Sequence, residues 1–220
     1  MLSCRAMGKA VATTRERILE QGLALMSQAG LSGVTLGVLA ARVGMSKSGL
    51  FAHFRSKEEV QIGLLNYMAE FASGQVVAPA MKVEEGLPRL KTLVAKWFGW
   101  TRRAGLPGGC PVAAGLFEFD DIRGPVRNKI LAMENEWRSL LTVLVRQAVE
   151  QGQLRDDLDV DQFVWELCAI YLGHHAAYRF LHSADADRRA EAAFEALLKR
   201  AAPPTPDGSR TPRKTVKHVA

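Results

Sequence analysis

The chain has 220 residues, a mass of 24.1 kDa, 48% hydrophobic residues and a mean hydropathy of −0.03. That length holds one large domain or a small domain joined to a larger one, and the composition excludes wholesale disorder. The formal net charge of +6 is unevenly placed: Lys and Arg outnumber Asp and Glu 8 to 4 over residues 1–60 and 6 to 1 over 199–220, while residues 61–198 carry 15 against 18. A polyanion would therefore meet the ends of the chain and not its body.

No apolar run reaches the roughly 18–20 residues that a membrane helix needs. The opening "MLSCRAMGKA" lacks the apolar core of a secretory signal, and Met7 is an alternative start. Cys4, Cys110 and Cys168 are odd in number and far apart, which favours a reducing compartment over a disulfide framework, so a cytoplasmic location is expected.

The chain reads as helical almost throughout. From Thr14 to Ala29, residues Ile18, Leu19, Leu23 and Met26 share one apolar face, and Gly30 is placed to stop the helix. Thr35 caps a second helix with Leu36, Leu39, Ala40 and Val43 on one side, closed by Gly44 in a tight turn. Ser46 caps a third helix, in which Leu50 and Phe54 turn inward and Lys47, Ser48 and Gly49 are left facing out. Ser56-Lys57-Glu58-Glu59 has the form of a capping box, so a fourth helix starts near Lys57. Two helices joined by a short glycine-containing turn, the second showing small and polar residues to the outside, form a helix-turn-helix of the kind that enters the DNA major groove. Side chains at the start of that second helix reach base edges, and free amides at helix N-termini suit phosphate oxygens.

The stretch "RERILEQGLALMSQAGLSGVTLGVLAARVGMSKSGLFAHFRSKEEV" resembles, without a gap, the three-helix N-terminal domain of the tetracycline-repressor (TetR) family. The resemblance covers about residues 14–67. It implies that Lys47, Ser48 and Gly49 take base-facing positions in a reading helix from Ser46 to Phe54, and that Thr35, Phe51, His53 and Lys57 approach the DNA backbone. It also sets out two departures. The family usually carries tyrosine at Phe51, so a hydroxyl bond to phosphate is missing. Gly37 stands where some relatives place a basic or polar reader, which leaves fewer direct base contacts.

Further along, Leu87-Pro88 starts a helix carrying Leu90, Leu93, Val94, Trp97 and Phe98, expected to stop near Gly105. A glycine-rich loop, a short helix from about Pro111 to Phe119 and a break at Gly124-Pro125 follow. A long core helix then carries Ile130, Met133, Trp137, Leu140, Leu144 and Ala148 at spacings of three and four, and ends at Gly152. Asp159 and Gln162 resemble a capping pair before "FVWELCAIYLGHHAAYRFLH", which is apolar over most of its circumference, more than one packed side requires. The last helix, "DRRAEAAFEALLKR", has Ala190, Phe194, Leu197 and Leu198 on one stripe. In TetR-type proteins the last two helices pair with their symmetry mates, so the resemblance implies a homodimer with two reading helices about one DNA turn apart and a palindromic operator.

The expected fold class is all-α. Residues 1–12 form a flexible arm, 13–60 the DNA-binding domain with its helix-turn-helix at about 35–54, 61–201 a helical ligand-binding and dimerisation domain, and 202–220 a disordered basic tail. Trp97, Trp100, Cys110, Phe117, Trp137, Trp165, Tyr171, His174 and Tyr178 are candidates to line a cavity in the second domain, where the resemblance places a pocket for small, often apolar, molecules; plain core packing is the alternative for each. His174, His175, His182 and Cys168 share a stretch without metal-ligand spacing, and no phosphate loop or Ser/His/Asp arrangement is present. No metal, cofactor or enzymatic activity is expected. The expected function is a sequence-specific DNA-binding regulator, a homodimeric repressor released from double-stranded operator DNA by a small molecule. The alternative is a helical small-molecule-binding protein or interaction module whose helix-turn-helix contacts protein.

Overall fold

The computed structural model describes residues 13–204. The expected N-terminal arm, residues 1–12, and most of the basic tail lie outside the described residues. Among the described residues all regular structure is helical: α1 (Thr14–Ala29), α2 (Leu36–Val43), α3 (Lys47–Phe51), α4 (Lys57–Ala72), α5 (Ala78–Ala80), α6 (Leu87–Trp97), α7 (Trp100–Arg103), α8 (Pro111–Glu118), α9 (Pro125–Glu150), α10 (Val160–Arg179) and α11 (Ala186–Ala201).

Helices α1 to α3 close a small core in which Ile18, Leu23, Leu39, Leu50 and Phe54 are buried. Full burial of a side chain such as Phe54 contributes about 2–3 kcal/mol, so a head of this size depends on each of them. Side-chain caps set the starts: Thr13 with Glu16, Thr35 with the Val38 amide at 3.2 Å, and Ser46 with the Gly49 amide at 3.0 Å. Helix α2 ends in a left-handed Gly44 (φ 70°), whose amide bonds the Ala41 carbonyl while Met45 bonds Ala40. That double closure uses up carbonyls that a helix end leaves unpaired and turns the chain sharply into α3. The reading helix is shorter than expected, ending at Phe51, because bonds from His53 and Phe54 to the Leu50 carbonyl close it in a tight turn.

At α4, Ser56 accepts from the Glu59 amide at 3.1 Å, while Glu59 reaches one residue further back than a capping box requires, to the Arg55 amide at 2.8 Å. Helix α4 runs on through a π-helical turn, Ser73–Val77, into α5. Pro79 has no amide to give the carbonyl four residues behind it, which accounts for the wider turn.

The helix expected from Leu87 to Gly105 is divided. Phe98 is extended and Gly99 left-handed, so α6 stops and α7 restarts in a new direction, and Gly105 then ends α7 as expected. Helices α4, α6, α8 and α10 pack around the long α9, and α10 lies along α11. Asp159 caps α10 through the Gln162 amide at 2.9 Å, and Arg200 pairs with Glu166 across the α10–α11 seam.

Candidate functional site

The helix-turn-helix shows one exposed face. Thr35, Gly37 and Val38 on α2 and Ser46, Lys47, Ser48 and Phe51 around α3 are exposed, while Gly49 and His53 are half-buried. Phe51 is 42% exposed, an aromatic ring standing out of a basic surface without a hydroxyl to bond a phosphate. Gly37 opens on free space. Lys57 is exposed at the start of α4, but its Nζ donates to the Ser32 carbonyl at 3.3 Å, so it is held toward the head's own α1–α2 turn.

In the second domain a cavity of about 350 Å3 lies between α4, the segment from α6 to α8, α9 and α10. Five of the aromatic and thiol candidates line it: Trp97, Trp100, Cys110, Trp137 and Tyr171. Tyr171 stacks on Trp97 at 4.1 Å between centroids, Trp137 meets Trp97 edge-on at 4.8 Å, and Trp100 Nε1 donates to the Tyr171 hydroxyl at 3.2 Å. Burial pushes the Tyr171 phenol well above its ordinary pKa, and burial pushes the Cys168 thiol up to about 11, so both face the cavity uncharged.

Four candidates stand elsewhere. Phe117 is 66% exposed: Leu116 turns into the cavity, and the next residue on a helix lies about 100° further round, toward solvent. Trp165 is 60% exposed on the outer side of α10. His174 and Tyr178 continue an aromatic ladder away from the cavity. His174 stacks on Phe98 at 5.6 Å and Tyr178 on His174 at 6.2 Å, with the Arg102 guanidinium 5.4 Å above Tyr178. Asp187 of α11 closes this cluster, accepting from Arg102 at 2.6 Å and lying 2.8 Å from His174 Nε2.

The cavity also takes residues that aromatic content did not signal. Met68, Ala72 and Val76 line it from α4 and its π turn, and Val112, Ala113 and Leu116 from α8. A helical apolar stripe looks the same in sequence whether it meets a neighbour or an open space. Both of these elements also touch the head. Helix α4 begins there, with Gln61 Nε2 donating to the Leu31 carbonyl at 2.7 Å. Segment 108–118 is fastened at both ends. The Gly109 amide donates to the Ser27 carbonyl at 2.9 Å, and the Glu118 carboxylate accepts from the Leu31 and Ser32 amides at 3.3 and 2.9 Å. A side chain at Gly108 would overlap the Ser27 carbonyl, so the near fastening depends on glycine.

Residues 18–61 match the family model described as bacterial regulatory proteins, tetR family, and residues 86–194 match the tetracyclin repressor-like C-terminal domain; together they take in more than half of the chain. Among curated proteins, the nucleoid occlusion factor SlmA of Sodalis glossinidius (strain morsitans) is 29% identical over 147 residues, 64% of this chain and 69% of that protein. Among solved structures, a TetR transcriptional regulator from Chloroflexus aurantiacus superposes with a TM-score of 0.74 at 26% identity, covering 84% of this chain and 92% of the other. AibR in complex with isovaleryl coenzyme A and operator DNA gives 0.66 at 22% identity, over 87% and 99% of the two chains. Head and body alike thus match the models of one family on a shared all-helical fold, and the chain belongs to the TetR family of DNA-binding transcriptional regulators.

Proposed function

We propose that the chain is a homodimeric, non-enzymatic repressor acting in the cytoplasm, which blocks a promoter by binding a palindromic operator and leaves it when a small molecule occupies the cavity. The observation that carries this reading is the shared use of α4 and α8: each lines the cavity and each bonds the α1–α2 turn of the head. A ligand that prefers a shifted position of either helix moves the head with it. A ligand of equal affinity for both positions would change nothing. AibR, whose structure holds both a small molecule and operator DNA, supports the pairing of the two functions on this fold.

In this reading Lys47 and Ser48, with the backbone at Gly49, face base edges. Thr35, Ser46, Phe51, His53 and Lys57 lie along the DNA backbone, and Gly37 makes way for it. Outward-facing Trp165, Ala169, Gly173, Ala176 and Phe180 form an apolar stripe of mostly small residues along α10. Placed against its copy, that stripe lets two backbones approach closely in a four-helix interface with α11.

The test is binding of the purified chain to DNA from its own upstream region and to a random-sequence library, with a salt titration. Lys47→Ala is expected to cost about 1–3 kcal/mol on the preferred sequence and to relax specificity. Lys57→Ala is expected to weaken all sequences evenly and to reduce the salt slope by about 1. Binding to neither DNA set would refute the reading and favour a protein-contact role for the helix-turn-helix.

A further inference from the structure

The polar groups around the cavity are few, and its Ser73 and Glu136 lie at the exposed edge. Tyr171 accepts the Trp100 Nε1 hydrogen and has the Cys110 thiol beside its own hydroxyl, and Cys168 remains a thiol. Among the described residues no Lys, Arg or His lines the cavity. Of its two carboxylates, Glu134 is paired with Arg138 at 2.8 Å and Glu136 is exposed to solvent. Arg138, next to Trp137 in sequence, is therefore already engaged. Trp137 also lines the cavity, and its Nε1 is buried with no hydrogen-bond partner among the described residues. A buried donor without a partner carries a desolvation cost that an incoming acceptor would relieve.

We propose that the cavity takes an uncharged lipophile bearing one hydrogen-bond acceptor, such as a carbonyl or ether oxygen, and rejects carboxylates and phosphates. This rests on the cavity being the effector site. The apolar body of the ligand packs against Met68, Val76, Leu116 and the tryptophans, and its acceptor receives the Trp137 Nε1 hydrogen. An anion would enter a largely apolar cavity with no free cation among its lining residues, past Glu136 at one side, and must either break the Glu134–Arg138 pair or remain unpaired. A cation finds no unpaired buried carboxylate.

Three probes with one eight-carbon chain separate these cases: octyl methyl ketone, the octyl carboxylate and octyltrimethylammonium, titrated against the full chain by tryptophan fluorescence and calorimetry at pH 8. The ketone is expected to bind at least tenfold more tightly than either ion. Trp137→Phe is expected to weaken the ketone about fivefold more than it weakens octane, the two sharing whatever packing the smaller ring gives up. Glu134→Gln, which frees Arg138, is expected to narrow the gap between carboxylate and ketone. Carboxylate or ammonium binding as tight as the ketone would overturn the charge rule while leaving the cavity as the effector site. A ketone indifferent to Trp137→Phe would overturn the role of the indole donor. Failure of all three probes and octane to bind would refute the effector-site reading and this proposal with it.

Discussion

Two glycines about two turns apart, at the two ends of α2, carry opposite expectations. Gly44 holds φ 70° in the turn before α3, a region that costs a side chain about 1–2 kcal/mol, so Gly44→Ala is expected to lower stability by that amount in a urea melt. Gly37 sits in the first turn of α2 with open space around it, where alanine gains about 0.5–1 kcal/mol in helix propensity, so Gly37→Ala is expected to stabilise. Burial, with the charges of Arg179 and His174, holds the His175 pKa below the ordinary histidine value. The unfolded chain therefore takes up a proton there before the folded one does, and stability present at neutral pH is lost as pH falls through the folded pKa. The melting temperature is expected to drop on acidification below about pH 6.5, and His175→Gln to flatten that limb. Asp187 titrates in a lower window. The hydrogen bond from Arg102, followed by that to His174, holds its carboxyl below the usual carboxylate range, so its contribution disappears only at strongly acid pH.

At the scale of elements, helix ends were more legible in the sequence than helix interiors. Thr35, Ser46, Ser56 and Asp159 cap where their side chains suggested, and Gly30, Gly44, Gly105 and Gly152 stop helices where glycine relieves a left-handed or extended turn. These signals are local, so a few neighbouring residues carry them. The break at Phe98-Gly99 was hidden inside an unbroken apolar pattern because Phe98 is buried on both counts, as a helix residue by spacing and as a bend residue by packing on Tyr171, His174 and Phe194. The same blindness explains the cavity list: large aromatics and a thiol pointed to five lining residues, but which side of α8 or α10 meets open space depends on partners far along the chain. Glu118 was equally silent, since its two amide partners lie 87 and 86 residues away. Its loss has an expected signature. Glu118→Ala removes charge-assisted bonds to two backbone amides and should lower stability by about 1–2 kcal/mol. It should also leave operator DNA bound at ligand concentrations that release the unmodified protein, read by anisotropy of labelled operator.

For the whole molecule, the proposed homodimer sets the outer stripe of α10 against its copy. A carboxylate introduced at Gly173, which opens on free space in the protomer, would fall between two close backbones in the dimer. Gly173→Glu is therefore expected to yield a folded monomer by light scattering, with unchanged helicity and with operator affinity reduced by 100-fold or more, because two linked heads bind as one unit and separate heads do not. The fastening between body and head has a different reach. Glu118 and Gln61 both hold main-chain groups of the α1–α2 turn, Leu31 and Ser32, and none of these bonds depends on a side chain there. The groove-facing residues can therefore drift toward new operators without disturbing the grip. Heads exchanged between relatives with a turn of equal length would still answer to this body's effector, which makes recognition and sensing separately heritable traits.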